Sequence, residues 1–383
     1  MNEPIPEQMS DATPGQSGAL TVERFCGISD ERRQAEAALL ELGLIFPLSG
    51  RVAWLEAFPD HRSCLFVVRE AGGAIVGGIA VEEFRSRLPG HWIWQVNRAD
   101  PAPEREIVAA ALDAVIRAAR ADSTVLRVHV DIFSREPALR AAAAPLLEER
   151  GLTKLESPRG HQWTLVIDLE NGAEPAWKAM KGSVRRDIRI PERAPLEVRV
   201  VDDPTLVPRM EALVAETYAR TGGTAEDSDF AGIMRLSKLA PGASRIFGLF
   251  RTDVSGPDAL VSFAWGCRHG SHMCYHVGAS TRDPAVRRHP LAHAPLWALV
   301  TWAAEEKAKW FDLGGVTFGT KGSDDPLAGI SDFKRSFTQN VVEMREEWQF
   351  EPHPLRAGVA RTLSEGAALA KQLRARLGAR PKN

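Results

Sequence analysis

The sequence predicts a mixed α/β fold, built as two tandem domains of similar topology. With 383 residues the chain is longer than one hydrophobic core usually allows, so two domains of about 150–200 residues each are expected. Hydrophobic residues make up 44% and charged residues 26% of the chain, which is typical of a globular protein. The same order of strands and helices occurs twice along the sequence, which indicates an internal duplication.

Hydrophobic periodicity predicts the elements of the first copy. In order they are a helix over 30–42, a short helix around Trp54, strands over 64–69, 74–82 and 91–97, a helix over 103–121, a strand over 125–130, a helix over 137–150 and a strand over 162–169. The first two strands are rich in β-branched residues and flank Glu70-Ala71-Gly72-Gly73, which is typical of a hairpin turn. The long helix over 103–121 begins with acidic residues, as helices commonly do.

The second copy repeats this order. It predicts strands over 245–251, 259–267 and 272–279, a helix over 290–307 and a strand over 310–313. The resulting domain prediction is a disordered start (1–18), a first domain (19–175), a basic helix and linker (176–204), a second domain (205–352) and a C-terminal basic amphipathic helix (353–383). The apolar residues of that last helix recur at steps of four, so we expect it to pack on the second domain, with membrane-surface contact as the alternative.

The formal net charge is −2, so the protein as a whole does not attract nucleic acid electrostatically. A local basic patch is nevertheless present in the predicted linker helix. It consists of Lys178, Lys181, Arg185, Arg186, Arg189 and Arg193. At helical spacing four of these share one face, which suits the phosphates of a nucleotide-linked substrate or of a tRNA backbone. The alternative is a solvated helix face with structural ion pairs.

Compartment and metal chemistry are read from the N-terminus and the cysteines. The start lacks the basic flank and apolar run of a signal peptide, and no segment is apolar enough to cross a membrane, so a cytoplasmic protein is expected. The four cysteines form no CxxC pair and are too sparse for a disulfide scaffold. Cys267 and Cys274 flank a turn and are expected to be a reduced, buried pair rather than a disulfide or a metal site. The cysteine and histidine positions predict no zinc site.

Common catalytic motifs are missing from the sequence. HExxH, GxSxG, the P-loop and GxGxxG do not occur in a supporting strand-helix context. Metalloprotease, α/β-hydrolase, NTPase and dinucleotide-binding interpretations are therefore excluded.

Two segments carry a family resemblance. Residues 125–169 contain a strand ending at Asp131, a helix, a Gly151-Leu152 turn and a Thr-containing strand that ends in Asp-Leu, followed by the basic KAMKGSVRRDIR. Residues 275–337 contain YHVGAS, WFDLGGV and GISDFKRSF. Together they resemble the Fem family, FemAB-like aminoacyltransferases of the GNAT acyltransferase superfamily that add amino acids to peptidoglycan precursors. The resemblance implies two tandem GNAT-like domains, in which the strand before the crossover helix diverges from the strand after it.

The resemblance also implies a function: amide bond formation on an amine acceptor, from aminoacyl-tRNA to a cell-wall precursor or a related small acceptor, without a cofactor. An acyl-CoA-dependent N-acyltransferase is the first alternative. Against it, residues 287–294, which lead into the long helix, lack the glycines whose N–H groups would hold a pyrophosphate. A non-catalytic duplicated domain in cell-envelope polysaccharide biogenesis is the second alternative. The implied partners are aminoacyl-tRNA, a nucleotide- or lipid-linked cell-wall precursor and a peripheral membrane contact, without a transmembrane segment.

The resemblance places Phe333 and Lys334 at the reaction centre. A lysine charge stabilises the oxyanion of the tetrahedral intermediate or the leaving oxygen, and the adjacent ring excludes water. The alternative is that Asp332, Lys334 and Arg335 are exposed helix charges while Phe333 and Phe337 fill a core.

Other candidate site residues are less specific. Asp131 is either a base or orienter of the amine, or a cap of the loop before the next helix. Tyr275 either donates to the substrate carbonyl or faces the core. The resemblance makes Arg220 a phosphate-binding residue, with a surface arginine as the alternative. The remaining substrate-binding candidates are Arg51, Arg185, Arg186 and Arg189. Arg51 and the stretch after Asn97 depart from the family pattern, and no coiled-coil arm for tRNA is present.

Overall fold

The computed structural model describes residues 20–44, 46–99, 104–157, 159–221, 228–319, 325 and 327–363. By internal contacts the chain divides into two units. The first comprises residues 1–46, 60–157 and 346–383, and the second comprises 47–59 and 158–345. Each unit is a mixed α/β structure with its own sheet, as the sequence predicts.

The elements of the chain up to residue 157 are β1 (Thr21–Cys26), α1 (Asp30–Glu41), α2 (Val52–Ala57), β2 (Arg62–Arg69), β3 (Ile75–Arg85), β4 (Trp92–Ala99), α3 (Arg105–Ala121), β5 (Val125–Phe133), α4 (Pro137–Glu148) and β6 (Thr153–Lys154). After residue 157 they are β7 (Trp163–Asp168), α5 (Glu174–Ala179), α6 (Gly182–Ile188), β8 (Leu196–Val200), α7 (Val207–Thr221), α8 (Phe230–Leu239), β9 (Ser244–Arg251), β10 (Leu260–His269), β11 (His272–Ser280), α9 (His293–Glu305), β12 (Trp310–Gly315), α10 (Ala328–Phe337), β13 (Val341–Glu343) and β14 (Arg345–Phe350).

The two sheets repeat one topology. In the first unit the strand order is β1-β2-β3-β4-β5-β14-β6, and in the second it is β13-β7-β12-β11-β10-β9-β8. Four strands joined by antiparallel pairing lead to a parallel neighbour, β5 beside β4 and β12 beside β11. A crossover helix, α3 or α9, connects each parallel pair, because parallel strands cannot be joined by a tight turn. The predicted duplication is confirmed.

The domain boundaries differ from the sequence-based prediction in three places. The segment 47–59 belongs to the second unit. Strand β7, predicted within the first domain, pairs with β12 and β13 in the second sheet. Strand β14, predicted within the second domain, lies in the first sheet. Sequence order alone does not reveal such an exchange, because apolar alternation marks a strand but not its partner.

Each face of the second sheet has its own core. On one face α7 and α8 pack over Phe263, Trp265 and Cys267. On the other face α6, α9 and α10 pack over Ala264, Met273 and Phe311. Successive residues of β10 therefore alternate between two apolar layers, which explains why every residue of this strand except Arg268 is buried.

The predicted basic helix over 178–189 is wrong as a single helix. The chain leaves helical geometry at Met180 and Lys181, so α5 and α6 are separate short helices. Met180 is buried in the core, which draws the chain inward at that point. The predicted basic face is therefore not continuous.

The predicted C-terminal helix is helical over 354–363, and the rest of it lies outside the described residues. Its contacts assign it to the first unit rather than the second. Leu355, Val359 and Leu363 are exposed, whereas Ala357 is fully buried. The helix therefore packs through its small residue and not through the predicted apolar stripe. None of the helices within the described ranges is long and apolar enough to cross a membrane.

The first unit contains a disulfide, whereas the sequence predicts cysteines too sparse for a disulfide scaffold. Cys26 and Cys64 face each other in the antiparallel pair of β1 and β2 and form a disulfide. The sequence does not indicate this pairing, because its pattern does not predict β1 as a strand.

Candidate functional site

The parallel strands of the second unit separate, and this sets the position of the candidate site. β11 and β12 pair at His272–Trp310, Met273–Phe311 and Cys274–Asp312, and within the described residues their pairing ends there. Both strands continue beyond that point. In the first unit, by contrast, the pairing of β4 with β5 runs from Trp92–Val125 to Ala99–Ile132. The predicted divergence of strands is therefore a property of the second unit.

Gly314 lies where β12 turns away. Its φ is +81°, a left-handed conformation that glycine adopts without steric cost. The buried carboxylate of Asp312 holds this turn, because it accepts from the Gly314 N–H at 2.7 Å and from the Thr164 hydroxyl on β7. The Asp-Leu-Gly-Gly segment thus shapes the strand end.

Lys334 on α10 reaches this strand end. Its side chain is buried, and its Nζ donates to the carbonyl oxygen of Gly315 at 2.7 Å. A Cβ placed on Gly314 would lie 3.2 Å from the same Nζ. The alternative of an exposed helix charge is therefore wrong for Lys334. Asp332 and Arg335 on the same helix do form an ion pair nearer the surface, at 3.1 Å.

Burial changes the acidity of Lys334. It lowers the pKa of the ammonium to about 8, while the charge of Asp312 acts in the opposite direction. A lysine with this pKa is still mostly charged at neutral pH, yet it gives up its proton far more readily than an ordinary lysine. The group can therefore both stabilise negative charge and protonate a leaving oxygen.

His161 is a neighbour that the sequence did not single out. Its ring lies against Gly315, where a Cβ would collide with it. Burial, followed by the positive charges of Lys334 and Arg345, lowers the pKa of the imidazole. The ring is therefore neutral at pH 7 and able to accept a proton. Only its position directly before β7 could have indicated this role, because β7 is the neighbour of β12.

Phe333 belongs to an aromatic cluster rather than to an open surface. Its ring centroid lies 5.4 Å from that of Phe337 and 5.0 Å from that of His293 on α9. Burial is the main cause that lowers the pKa of His293. The cluster fixes α10 against α9, and through α10 it positions the neighbouring Lys334.

Tyr275 lies on β11 just beyond the last paired position. Its side chain packs with the core that contains α9 and α10. Its hydroxyl oxygen lies over Gly278 on the same strand, 2.6 Å from where a Cβ on that glycine would be. Its carbonyl oxygen is 3.5 Å from the Cβ position of Gly314. Burial raises the pKa of the phenol, so it stays protonated and can serve as a hydrogen-bond donor.

The remaining sequence candidates lie outside α10, β11 and β12. Asp131 is buried on β5 of the first unit. Arg51 precedes α2 in the second unit, close enough to Arg268 that its charge adds to burial in lowering the pKa of Arg268, against the opposing charge of Glu306. The side chain of Arg220 lies outside the described residues.

The basic residues of α5 and α6 have different surroundings. Arg185 donates to the carbonyl oxygens of Lys178 and Met180 at 2.9 and 2.8 Å and therefore closes the end of α5. Arg189 pairs with Glu192 at 3.7 Å. Arg186 is exposed. Arg186 and Arg189 are thus both exposed, and Arg189 is engaged by Glu192.

Comparison with known proteins agrees with this geometry. Residues 178–335 match the family model described as the acetyltransferase (GNAT) domain, a range that includes Tyr275, Gly314 and Lys334. The structure of FemX is similar over 88% of this chain and 100% of FemX, at 15% sequence identity and a TM-score of 0.69. The protein has a tandem GNAT fold of the Fem type.

Two further structures are similar to this chain in fold. L-PGS from Bacillus licheniformis matches over 88% of this chain and 96% of its own, at 12% identity and a TM-score of 0.51. The C-terminal domain of a putative lysylphosphatidylglycerol synthetase from Agrobacterium fabrum matches over 89% and 96%, at 13% identity and a TM-score of 0.50. No curated protein matches the chain in sequence. The predicted Fem-like acyltransferase fold with two GNAT-like domains is confirmed.

Proposed function

We propose that this protein is an aminoacyl or acyl transferase that forms an amide bond on an amine acceptor, with its reaction centre where β11 and β12 separate. The observation that carries the proposal is the buried ammonium of Lys334 at that point, within the region that matches an acetyltransferase domain. A buried charge is costly to retain without a role, which favours a functional rather than a structural lysine.

Acyl transfer from an ester donor proceeds through a tetrahedral intermediate. The acceptor nitrogen attacks the ester carbonyl, the C–O bond to the leaving alcohol breaks, and the C–N bond of the amide remains. Negative charge develops first on the carbonyl oxygen and then on the leaving oxygen. Lys334 supplies positive charge to the first and a proton to the second, for which a pKa of about 8 is well suited.

The proposed proton acceptor is His161. The attacking amine must lose a proton as the amide forms, and a neutral imidazole beside Gly315 can take it. Tyr275 on β11 keeps its phenol proton and is proposed to orient the donor carbonyl. The role proposed from sequence for Asp131, orienting the amine, remains a separate prediction.

An aminoacyl-tRNA is proposed as the donor, ahead of acyl-CoA. A helix N-terminus binds pyrophosphate through its first N–H groups. At α9 the third residue is Pro295, which has no N–H, and the N–H of His293 already points to the carbonyl oxygen of Pro290 at 3.4 Å. The start of this helix is therefore poorly equipped to hold the pyrophosphate of CoA. Because charged tRNA is a cytoplasmic substrate, the proposed reaction takes place in the cytoplasm.

The proposed acceptor is an amine on a cell-wall precursor. The fold similarity to FemX supports this proposal, and the similarity to a putative lysylphosphatidylglycerol synthetase supports an aminoacyl donor with a lipid-linked acceptor as the second candidate. Arg186 is the proposed contact for a substrate phosphate.

The test is a transfer assay with mixed charged tRNAs and separate amine acceptors: a nucleotide-linked cell-wall precursor, a lipid-linked precursor and phosphatidylglycerol. Mass spectrometry of each acceptor should reveal the addition of one aminoacyl group. Isothermal titration with CoA is the matched control. Micromolar CoA binding together with acetyl transfer, in place of aminoacyl transfer, would overturn the order of the two donors.

A further inference from the structure

A cluster of four side chains lies on the hairpin formed by β10 and β11. Cys267 and His269 end β10, and Cys274 and His276 lie on β11. The Sγ of Cys267 is 3.5 Å from the Nε2 of His269, and the Sγ of Cys274 is 3.0 Å from the Nε2 of His276. The two Nε2 atoms are 3.2 Å apart, and all four donor atoms lie within 4.8 Å of one another. We propose that these residues bind a structural zinc ion.

The distances match the requirements of the metal. Zinc with bonds of about 2.3 Å to sulfur and about 2.0–2.1 Å to nitrogen, in tetrahedral geometry, separates its donor atoms by about 3.3–3.8 Å. The separations of 3.5, 3.0 and 3.2 Å are within a few tenths of an ångström of that range. Every other pair of donor atoms is within 4.8 Å, about 1 Å beyond the range at most, so side-chain adjustments would complete the site. Neither Cys267 nor Cys274 is part of a disulfide.

The chemistry of the donor set favours zinc. Two thiolates and two neutral imidazoles form a tetrahedral set that zinc prefers over magnesium or calcium, which take oxygen ligands. The two thiolate charges cancel the charge of the ion, so the complex can lie beside an apolar core at little electrostatic cost. Cys267 and Cys274 are indeed part of the core under α7 and α8. His276 is exposed, which leaves an entry path for the ion.

Neighbouring side chains hold the ligands in place. The indole of Trp265 packs on the ring of His276 at 4.8 Å, and its Nε1 donates to the hydroxyl of Ser244 at 3.0 Å. Ser244 in turn bonds Ser237 on α8 at 2.9 Å. Such surrounding contacts fix the orientation of metal ligands and contribute to metal affinity.

The sequence interpretation excluded zinc because the spacing is not that of a CxxC motif. On a strand, however, residues two apart share a face, so the pairs 267 with 269 and 274 with 276 each present two donors on one side. The register of β10 with β11 then sets Cys267 opposite Cys274. The pattern C-x-H-x4-C-x-H around a tight turn is thus a signal that the sequence does contain.

The proposed zinc site cross-links β10 and β11 on the face of the sheet opposite the Tyr275 side chain. Tyr275 lies between the ligands Cys274 and His276, with its side chain in the other core. A closed site with four protein ligands stabilises structure rather than activating water. The metal would therefore hold the backbone of β11 in place where that strand leaves β12. This inference does not rest on the proposed acyl transfer.

The test is metal binding by the full chain. After chelation under reducing conditions, the protein should bind one zinc or one cobalt ion per chain, and cobalt should show the absorption of a tetrahedral site with thiolate charge transfer. His276→Ala, at the exposed position, and Cys274→Ser should each weaken zinc binding by more than the roughly 10–100-fold that loss of a surrounding contact costs. His289→Ala, a histidine outside the cluster, should bind as the wild type does.

Two results would overturn the proposal. One is a Cys267–Cys274 disulfide in freshly purified protein, detected by peptide mass mapping without reduction. The other is cobalt absorption that is unchanged in His276→Ala and Cys274→Ser, because the ion would then be bound elsewhere. Thermal melting of each variant without metal reports whether a loss of binding reflects unfolding.

Discussion

The ammonium of Lys334 donates a hydrogen bond to the carbonyl oxygen of Gly315, with an N–O distance of 2.7 Å. This one bond connects α10 to the end of β12, at the point where β12 leaves its parallel neighbour. The carbonyl oxygen marks the place that a substrate oxygen can take, because a developing oxyanion is a stronger acceptor than a peptide carbonyl.

Replacement of Lys334 by methionine should remove catalysis without unfolding the protein. We expect turnover to fall on the order of 10²–10³-fold, because one oxyanion contact is lost. The melting temperature should stay nearly constant, because the lost hydrogen bond is offset by the removal of a buried charge. Steady-state transfer assays and thermal melting measure the two effects. Lys309→Met, at an exposed lysine, is the control, and a Lys334→Met enzyme with full turnover would exclude the lysine from the mechanism.

Activity should depend on pH through the same ammonium. The lysine is charged below its pKa of about 8 and neutral above it, so transfer should decrease as the pH rises through about 8. The pH profile of kcat measures this limb. In Asp312→Asn the limb should move to lower pH, because the carboxylate that raises the pKa of Lys334 is gone. A limb that moved to higher pH in this variant would contradict the assignment.

Stability should show the opposite trend with pH. The pKa of Lys334 is about 8 in the folded chain and near its ordinary 10.5 when unfolded, so between these values the unfolded chain binds more protons. The free energy of unfolding should therefore rise over this window, by about 3 kcal/mol from this group. Denaturant titrations across pH 8 to 10.5 compare the wild type with Lys334→Met, whose curve should lack that increment.

Two glycines near Lys334 should respond oppositely to alanine. At Gly314, with φ +81°, an alanine should cost roughly 1–2 kcal/mol of stability, and its Cβ would press on the ammonium. At Gly329, in the first turn of α10, nothing lies within 4 Å of an added Cβ, so alanine should stabilise by roughly 0.5–1 kcal/mol. Chemical denaturation and turnover of both variants test this contrast. Equal effects of the two substitutions on stability would contradict the left-handed backbone at Gly314.

Adjacent arginines of α6 should separate structure from binding. Arg185→Ala should lower stability by about 1–3 kcal/mol, because a charged donor to several carbonyl oxygens is lost. Arg186→Ala should change stability by less than about 0.5 kcal/mol and should raise KM for the phosphate-bearing substrate, with a weaker salt dependence. Melting curves test the predicted stability difference, and KM values at two salt concentrations test the predicted effect on substrate binding. An unchanged KM in Arg186→Ala would remove this residue from substrate binding.

The success of sequence reasoning followed the strength of the local signal. The hairpin of β2 and β3, the long helix α3 and the buried strand β12 carry strong apolar patterns, and their positions were correct to within a few residues. Lys334 is a candidate already from its motif. β1 and β14 have more polar sequences and were missed, as was the exchange of β7, because partner choice depends on contacts that are distant in sequence. His161 became a candidate only when the fold brought it beside Gly315.

The exchange of strands also bears on how the chain is made. Strand β6 pairs with β14, and β14 lies between β5 and β6 in the first sheet. A ribosome synthesises β6 almost two hundred residues before β14, at roughly 5–20 residues per second. The first sheet therefore stays incomplete for many seconds after its first five strands have emerged, with the edge of β5 open to a wrong partner. Nascent chains of this protein are expected to need protection at that edge until β14 has emerged from the ribosome.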